Sequence, residues 1–87
     1  MFTTGNQIRA ARALIGWRRD ELAEAAGLHV NAVKYWERLP SFSDREQNEP
    51  VGLRRIREAL DEAGVMLIDD PAPGVYLARA TAGEVEP

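Results

Sequence analysis

An 87-residue chain that is 45% hydrophobic has material for one domain around one modest core. The absence of cysteine and the single histidine exclude a disulfide framework, a thiolate metal site and a histidine cluster. A formal charge of −3 argues against a protein that coats nucleic acid indiscriminately, because that mode depends on a large excess of positive charge.

In chain order, Met1 to Thr4 leads into a first helix through QIRAARALIG, with Thr4 or Asn6 placed to cap it. Ile8, Ala11 and Ile15 fall on one face of that helix, and Gly16 closes it. Trp17 is expected in the core between the first and second helices. The stretch RRDELAEAAGLHVNAVKYWER then carries Leu22, Ala23, Ala26, Leu28, Val33 and Trp36 at helical spacing that is interrupted at Gly27 and resumes on a new axis. Two short helices follow from this, at about Arg19 to Ala26 and Val30 to Leu39, joined by a tight turn in which Gly27 takes a positive φ.

LPSFSDREQNEP, bounded by Pro40 and Pro50, reads as a solvated loop with a short helical turn near Ser43 to Gln47 and an isolated aromatic, Phe42. A final helix starts near Pro50 and buries Leu53, Ile56, Leu60 and Ala63, with Gly64 ending it. Arg54 with Glu58, and Arg57 with Asp61, are spaced for exposed ion pairs, so the run Arg54, Arg55 and Arg57 reads as a solvated face before a nucleic-acid patch. VMLIDD and VYLARA around PAPG read as a hairpin, with Val65, Leu67, Val75 and Leu77 on one face and Met66, Ile68 and Tyr76 on the other. Both faces are apolar and an isolated hairpin is marginal in water, so it must pack on the helices or pair with another chain, which points to a homodimer. The divisions expected are a helical domain over 1–64, a hairpin over 65–80 and a disordered acidic tail over 81–87.

Charge is divided along the chain. Six basic residues meet four acids from Met1 to Pro40, net plus 2, and five arginines meet ten acids from Ser41 onward, net minus 5. An anionic partner is therefore expected against the N-terminal half. No apolar run approaches the ~20 residues of a membrane span, and the N-terminus lacks a charged-then-apolar leader, so a cytoplasmic protein is the expectation.

The pattern Gly16-Trp17-x-x-x-Glu21-Leu22-Ala23-x-x-Ala26-Gly27-Leu28-x-x-x-x-Val33-x-x-Trp36-Glu37 resembles the lambda-repressor-like (Cro/repressor-type) helix-turn-helix family, over roughly Gly5 to Ala63. The resemblance implies a mainly α fold, a compact four- to five-helix domain, here followed by a C-terminal β-hairpin or extended segment. It also implies double-stranded DNA as partner, with the helix from Val30 in the major groove. The family's base-reading positions correspond here to Val30, Asn31, Ala32 and Tyr35. A carboxamide at Asn31 donates to and accepts from adenine at once, and Val30 and Ala32 suit a thymine methyl. Arg18, Arg19, Lys34 and Arg38 are the cations expected on phosphates, with Arg19 at the position where the family holds one and Gln7 and Arg9 as lesser contributors. Arg12 and Glu37 match positions where the family often pairs an arginine with a glutamate between helices, which implies a structural ion pair. The chain departs from the family where each helix of the pair begins: Arg18 and His29 replace small hydroxyl residues, at an expected loss of about 1 kcal/mol per missing cap. His29 is expected on the surface or as a cap.

Asn31, Lys34 and Tyr35 would look the same on any solvated helix; turn glycine, core spacing and local positive charge together favour DNA. The function expected is a sequence-specific regulator, a small repressor of prophage or antitoxin type acting as a dimer. The alternative is a protein-interaction module that binds a partner through its acidic half, its long loop or its hairpin edge. No enzyme is expected, and no cofactor or metal: the chain has no cysteine, one histidine, no phosphate-binding glycine motif and no acid pair with a pocket to hold it.

Overall fold

The computed structural model describes residues 4–40, 49–68 and 72–78. They form helices α1 (Gly5–Ile15), α2 (Arg19–Ala26), α3 (Val30–Arg38) and α4 (Val51–Glu62), then a hairpin of β1 (Val65–Ile68) and β2 (Gly74–Leu77). A mainly helical chain with a small C-terminal hairpin is therefore what the sequence reading expected. The helical turn placed at Ser43 to Gln47, Phe42, the outer strand ends at 69–70 and 79–80 and the tail from Thr81 lie outside the described residues.

α1 begins before Gln7 because Thr4 caps it reciprocally. Thr4 Oγ1 accepts from Gln7 N at 3.4 Å while Thr4 N donates to Gln7 Oε1 at 3.1 Å. The same terminal motif then closes α1 and α2. Trp17 N donates to Arg12 O at 3.0 Å and Leu28 N to Ala23 O at 2.9 Å, each across a glycine in the left-handed region, Gly16 and Gly27. Gly27 at φ 71° is what allows α3 to start with only three residues between it and the end of α2.

The core combines Ile8 and Ala11 of α1, Leu22, Ala23 and Ala26 of α2, Val33 of α3, Leu53, Ile56, Ala59 and Leu60 of α4 and Val65 of β1. Each fully buried large aliphatic among them stabilises the fold by roughly 1.5–3 kcal/mol. Ala59 takes the buried place expected for Ala63, which is only half-buried. Trp17 is half-buried and packs against this cluster. The N-terminus of α1 meets the C-terminus of α3 backbone to backbone, with Gly5 N donating to Leu39 O at 3.0 Å. A Cβ on Gly5 would stand 2.5 Å from the carbonyl oxygens of both Trp36 and Glu37, so the approach requires glycine.

The hairpin is antiparallel with Val65 opposite Leu77, Met66 opposite Tyr76, Leu67 opposite Val75 and Ile68 opposite Gly74, which puts the side chains on the two expected faces. Val65, Leu67 and Val75 lie on the core. Met66, Ile68 and Tyr76 remain exposed on the outer face. Gln7 joins this hairpin to α1. Its Nε2 donates to Ile68 O at 3.0 Å and to Gly74 O at 3.1 Å, one bond to each strand, and Oε1 is taken by Thr4 N. Gln7 is 3% exposed and is therefore a structural clamp, not the backbone contact expected of it.

Candidate functional site

α3 has one buried edge and one open one. Val33 and Glu37 are buried, Val30, Ala32 and Trp36 half-buried, and Asn31, Lys34, Tyr35 and Arg38 exposed. The exposed four recur at intervals of three and four residues, so they form a single polar stripe along the helix. The side chains of Asn31, Lys34 and Arg38 make no hydrogen bond or ion pair among the described residues. Tyr35 sets its ring edge-on to Trp36, centroids 4.9 Å apart at 78°, which braces an otherwise exposed aromatic. Val30 packs against the core from the margin of the stripe.

The start of α3 is capped after all. His29 Nδ1 accepts from Asn31 N at 3.0 Å, replacing the short hydroxyl acceptor with an imidazole nitrogen. The start of α2 is half capped: Glu21 Oε1 accepts from Arg18 N at 2.7 Å, while the Arg18 guanidinium, having no acceptor atom, turns to the Asp20 carboxylate at 3.1 Å. That hydrogen bond holds the Asp20 carboxyl below its ordinary pKa and raises that of Arg18. On a fully exposed pair it adds little to stability.

The four cations expected on phosphates thus divide. Arg18 is paired with Asp20 and Arg19 with Glu37, the latter at 2.9 Å, whereas Lys34 and Arg38 are unpaired among the described residues. Arg12 meets Glu37 as a fork, Nε to Oε2 at 2.6 Å and Nη2 to Oε1 at 3.2 Å, and also donates from Nη1 to Trp17 O at 3.1 Å. Arg9 donates from Nη2 to Glu37 O at 3.3 Å, near the carbonyl end of α3, and to Asn6 Oδ1 at 3.1 Å. Glu37 therefore gathers three arginines from two other helices, a convergence that residue spacing alone does not reveal.

Farther along, Arg55 reaches back from α4 to donate to Gly27 O at 3.3 Å and so braces the turn between α2 and α3. Arg57 forms a bidentate pair with Glu49 at 2.8 and 2.9 Å, and Arg54 and Glu58, expected to pair, form no ion pair among the described residues. Hydrogen bonding from Arg57 holds the Glu49 carboxyl below its ordinary range and raises the pKa of Arg57. Among the described residues no three metal-ligating side chains come together, and no helix is long and apolar enough to cross a membrane. Comparison with models of known protein families gives no match, and comparison with curated proteins gives none either.

Proposed function

We propose that the chain is a sequence-specific DNA-binding transcriptional regulator of the lambda-repressor-like type, a small prophage- or antitoxin-style repressor. α2 and α3 act as its helix-turn-helix, and α3 enters the major groove. The observation that carries this reading is the uncovered stripe of Asn31, Lys34, Tyr35 and Arg38. Its polar side chains stand ready for base edges and phosphates, and the helix beneath them is anchored by Val33 and Glu37. Asn31 is the adenine reader, Tyr35 a second base contact, and Val30 and Ala32 line the margin where a thymine methyl fits. Lys34 and Arg38 contact phosphates directly, and Arg18 and Arg19 add charge at the start of α2.

The regulator acts as a homodimer on a two-fold site, joined through the hairpin whose outer face carries Met66, Ile68 and Tyr76. Sedimentation at high protein concentration tests the dimer, which a monomer throughout contradicts. Selection of binding sites from a random duplex pool tests the regulator reading: enrichment of a two-fold related motif supports it, and a pool that stays random contradicts it. The same apolar outer face favours a second reading, a protein-interaction module on this scaffold. That reading takes precedence if the pool stays random.

A further inference from the structure

The start of α1 sits between the hairpin and the C-terminal end of α3. On one side, Gly5 N donates to Leu39 O at 3.0 Å, Arg9 Nη2 donates to Glu37 O at 3.3 Å, and the missing Cβ of Gly5 lets the helix close onto the carbonyls of Trp36 and Glu37. On the other, Gln7 Nε2 donates to Ile68 O and to Gly74 O, so a single amide fastens both strands to the same turn. Its Oε1 accepts from Thr4 N, which ties the amide to the helix start. Burial of Val33 fixes the depth of α3, but its direction depends on its two ends. The Gly27 turn, braced by Arg55, holds the first, and this seat on α1 holds the second. At about 1.5 Å of rise per residue, Asn31 and Arg38 lie about 10 Å apart along the axis, so a pivot of about 10° at the turn moves the far end by about 2 Å. Contacts to base edges need their side chains placed to within about 0.5 Å.

We infer that Gln7 is a positioning residue for duplex reading: by clamping the hairpin to the first turn of α1, it holds the seat that sets the angle of α3 in the major groove. This rests on the reading of the chain as a DNA-binding protein and gives the hairpin a role in recognition separate from dimer formation. Gln7 itself is buried and acts only through its neighbours. Packed interiors transmit a displacement instead of absorbing it. Loss of the clamp frees the first turn of α1 to shift, and the close approach of Gly5 to the Trp36 and Glu37 carbonyls passes the shift to the end of α3. Base-edge contacts are sensitive to that angle, whereas the long side chains of Lys34 and Arg38 follow a phosphate through small movements. The clamp therefore governs discrimination between duplexes more than affinity for any duplex.

Gln7→Met keeps an unbranched side chain of similar length and removes its polar atoms. At a temperature where it is folded, it is expected to bind a selected duplex about tenfold more weakly and a scrambled duplex as the wild type does. Titration at concentrations where both proteins sediment alike keeps assembly out of the comparison. Ala59→Gly weakens the helix beside Ala25 and Ala26, away from this seat, and is expected to keep wild-type discrimination. In NMR spectra of the free protein, Gln7→Met is expected to shift the backbone amides of Trp36 to Leu39 as well as those of the hairpin, and Ala59→Gly to leave both in place. The wild type gives a readout that needs no variant: the selected duplex shifts the Gln7 side-chain amide signals, and the scrambled duplex at equal saturation leaves them in place. Equal weakening of Gln7→Met on both duplexes overturns the inference, as do amide shifts that stop at the hairpin or a Gln7 amide that ignores the selected duplex. An equal loss of discrimination in Ala59→Gly assigns the effect to stability and overturns it too. A protein whose last turn of α3 responds to Gln7→Met but which binds no duplex contradicts the DNA-binding reading, and the role in duplex reading falls with it, while the link from hairpin to α3 stands.

Discussion

His29 Nδ1 accepts the backbone N–H of Asn31 at 3.0 Å, so the only imidazole of the chain secures the first turn of the helix that carries the proposed base reader. As the acceptor of that bond, Nδ1 turns its lone pair toward the first turn of the helix. It also joins two roles at adjacent positions, since Asn31 receives the cap through its backbone and offers its side chain outward.

Replacing His29 by alanine is expected to remove this acceptor and destabilise the fold by about 1 kcal/mol, and replacement by serine to restore most of the loss. Urea denaturation of the three proteins measures it. Amide exchange at Asn31 accelerates in His29→Ala alone. Equal stability of all three proteins would show that solvent satisfies the helix terminus as well as the imidazole does.

Gln7→Ala leaves the Ile68 and Gly74 carbonyls without their side-chain donor and opens a gap between α1 and the hairpin. The expected cost is about 1–3 kcal/mol, with hairpin amides losing exchange protection before those of α4. Gln7→Glu is expected to be worse at neutral pH, because a carboxylate would face both carbonyl oxygens, and to recover as acid protonates it. A Gln7→Glu protein as stable as the wild type at neutral pH would contradict the clamp.

The pH dependence of stability carries a contribution from Glu49. Its native pKa lies below the ordinary 4.5 because Arg57 hydrogen-bonds the ionised form, so the unfolded chain binds its proton more readily than the native one. The stabilisation is complete above the unfolded value and disappears as pH falls through the depressed native value. Glu49→Gln is therefore expected to flatten the stability curve in that acid window and to lower stability at neutral pH. Denaturant midpoints taken across the window give the comparison, and an unchanged acid slope would contradict the pair.

Much of this architecture is legible in the residues. Gly27 between two runs of helical spacing places α2 at Arg19–Ala26, the bounds expected of it, and puts α3 within one residue of its expected end. Alternation in VMLI and GVYL predicts which side chains share a face, because strand periodicity admits only two choices. The partners of the polar side chains are a different matter. Gln7 bonds across 61 and 67 residues and Arg19 across 18, distances at which no local period operates. Arg57 forks onto Glu49, a pairing that depends on how the chain enters α4. The outward positions on α3 were expected from the family resemblance. The anchoring of Arg18 and Arg19 by acids was not, and it shifts the directly available charge to Lys34 and Arg38.

The central claim is that the open edge of α3 distinguishes one duplex from another, and fluorescence anisotropy with wild type and Asn31→Ala tests it most directly. Both proteins are titrated across a salt series against a selected duplex and a scrambled one. Asn31→Ala is predicted to lose about 1–3 kcal/mol of discrimination between the duplexes while its affinity for the scrambled one is unchanged. Equal weakening on both duplexes, or a wild type that prefers neither, would contradict it.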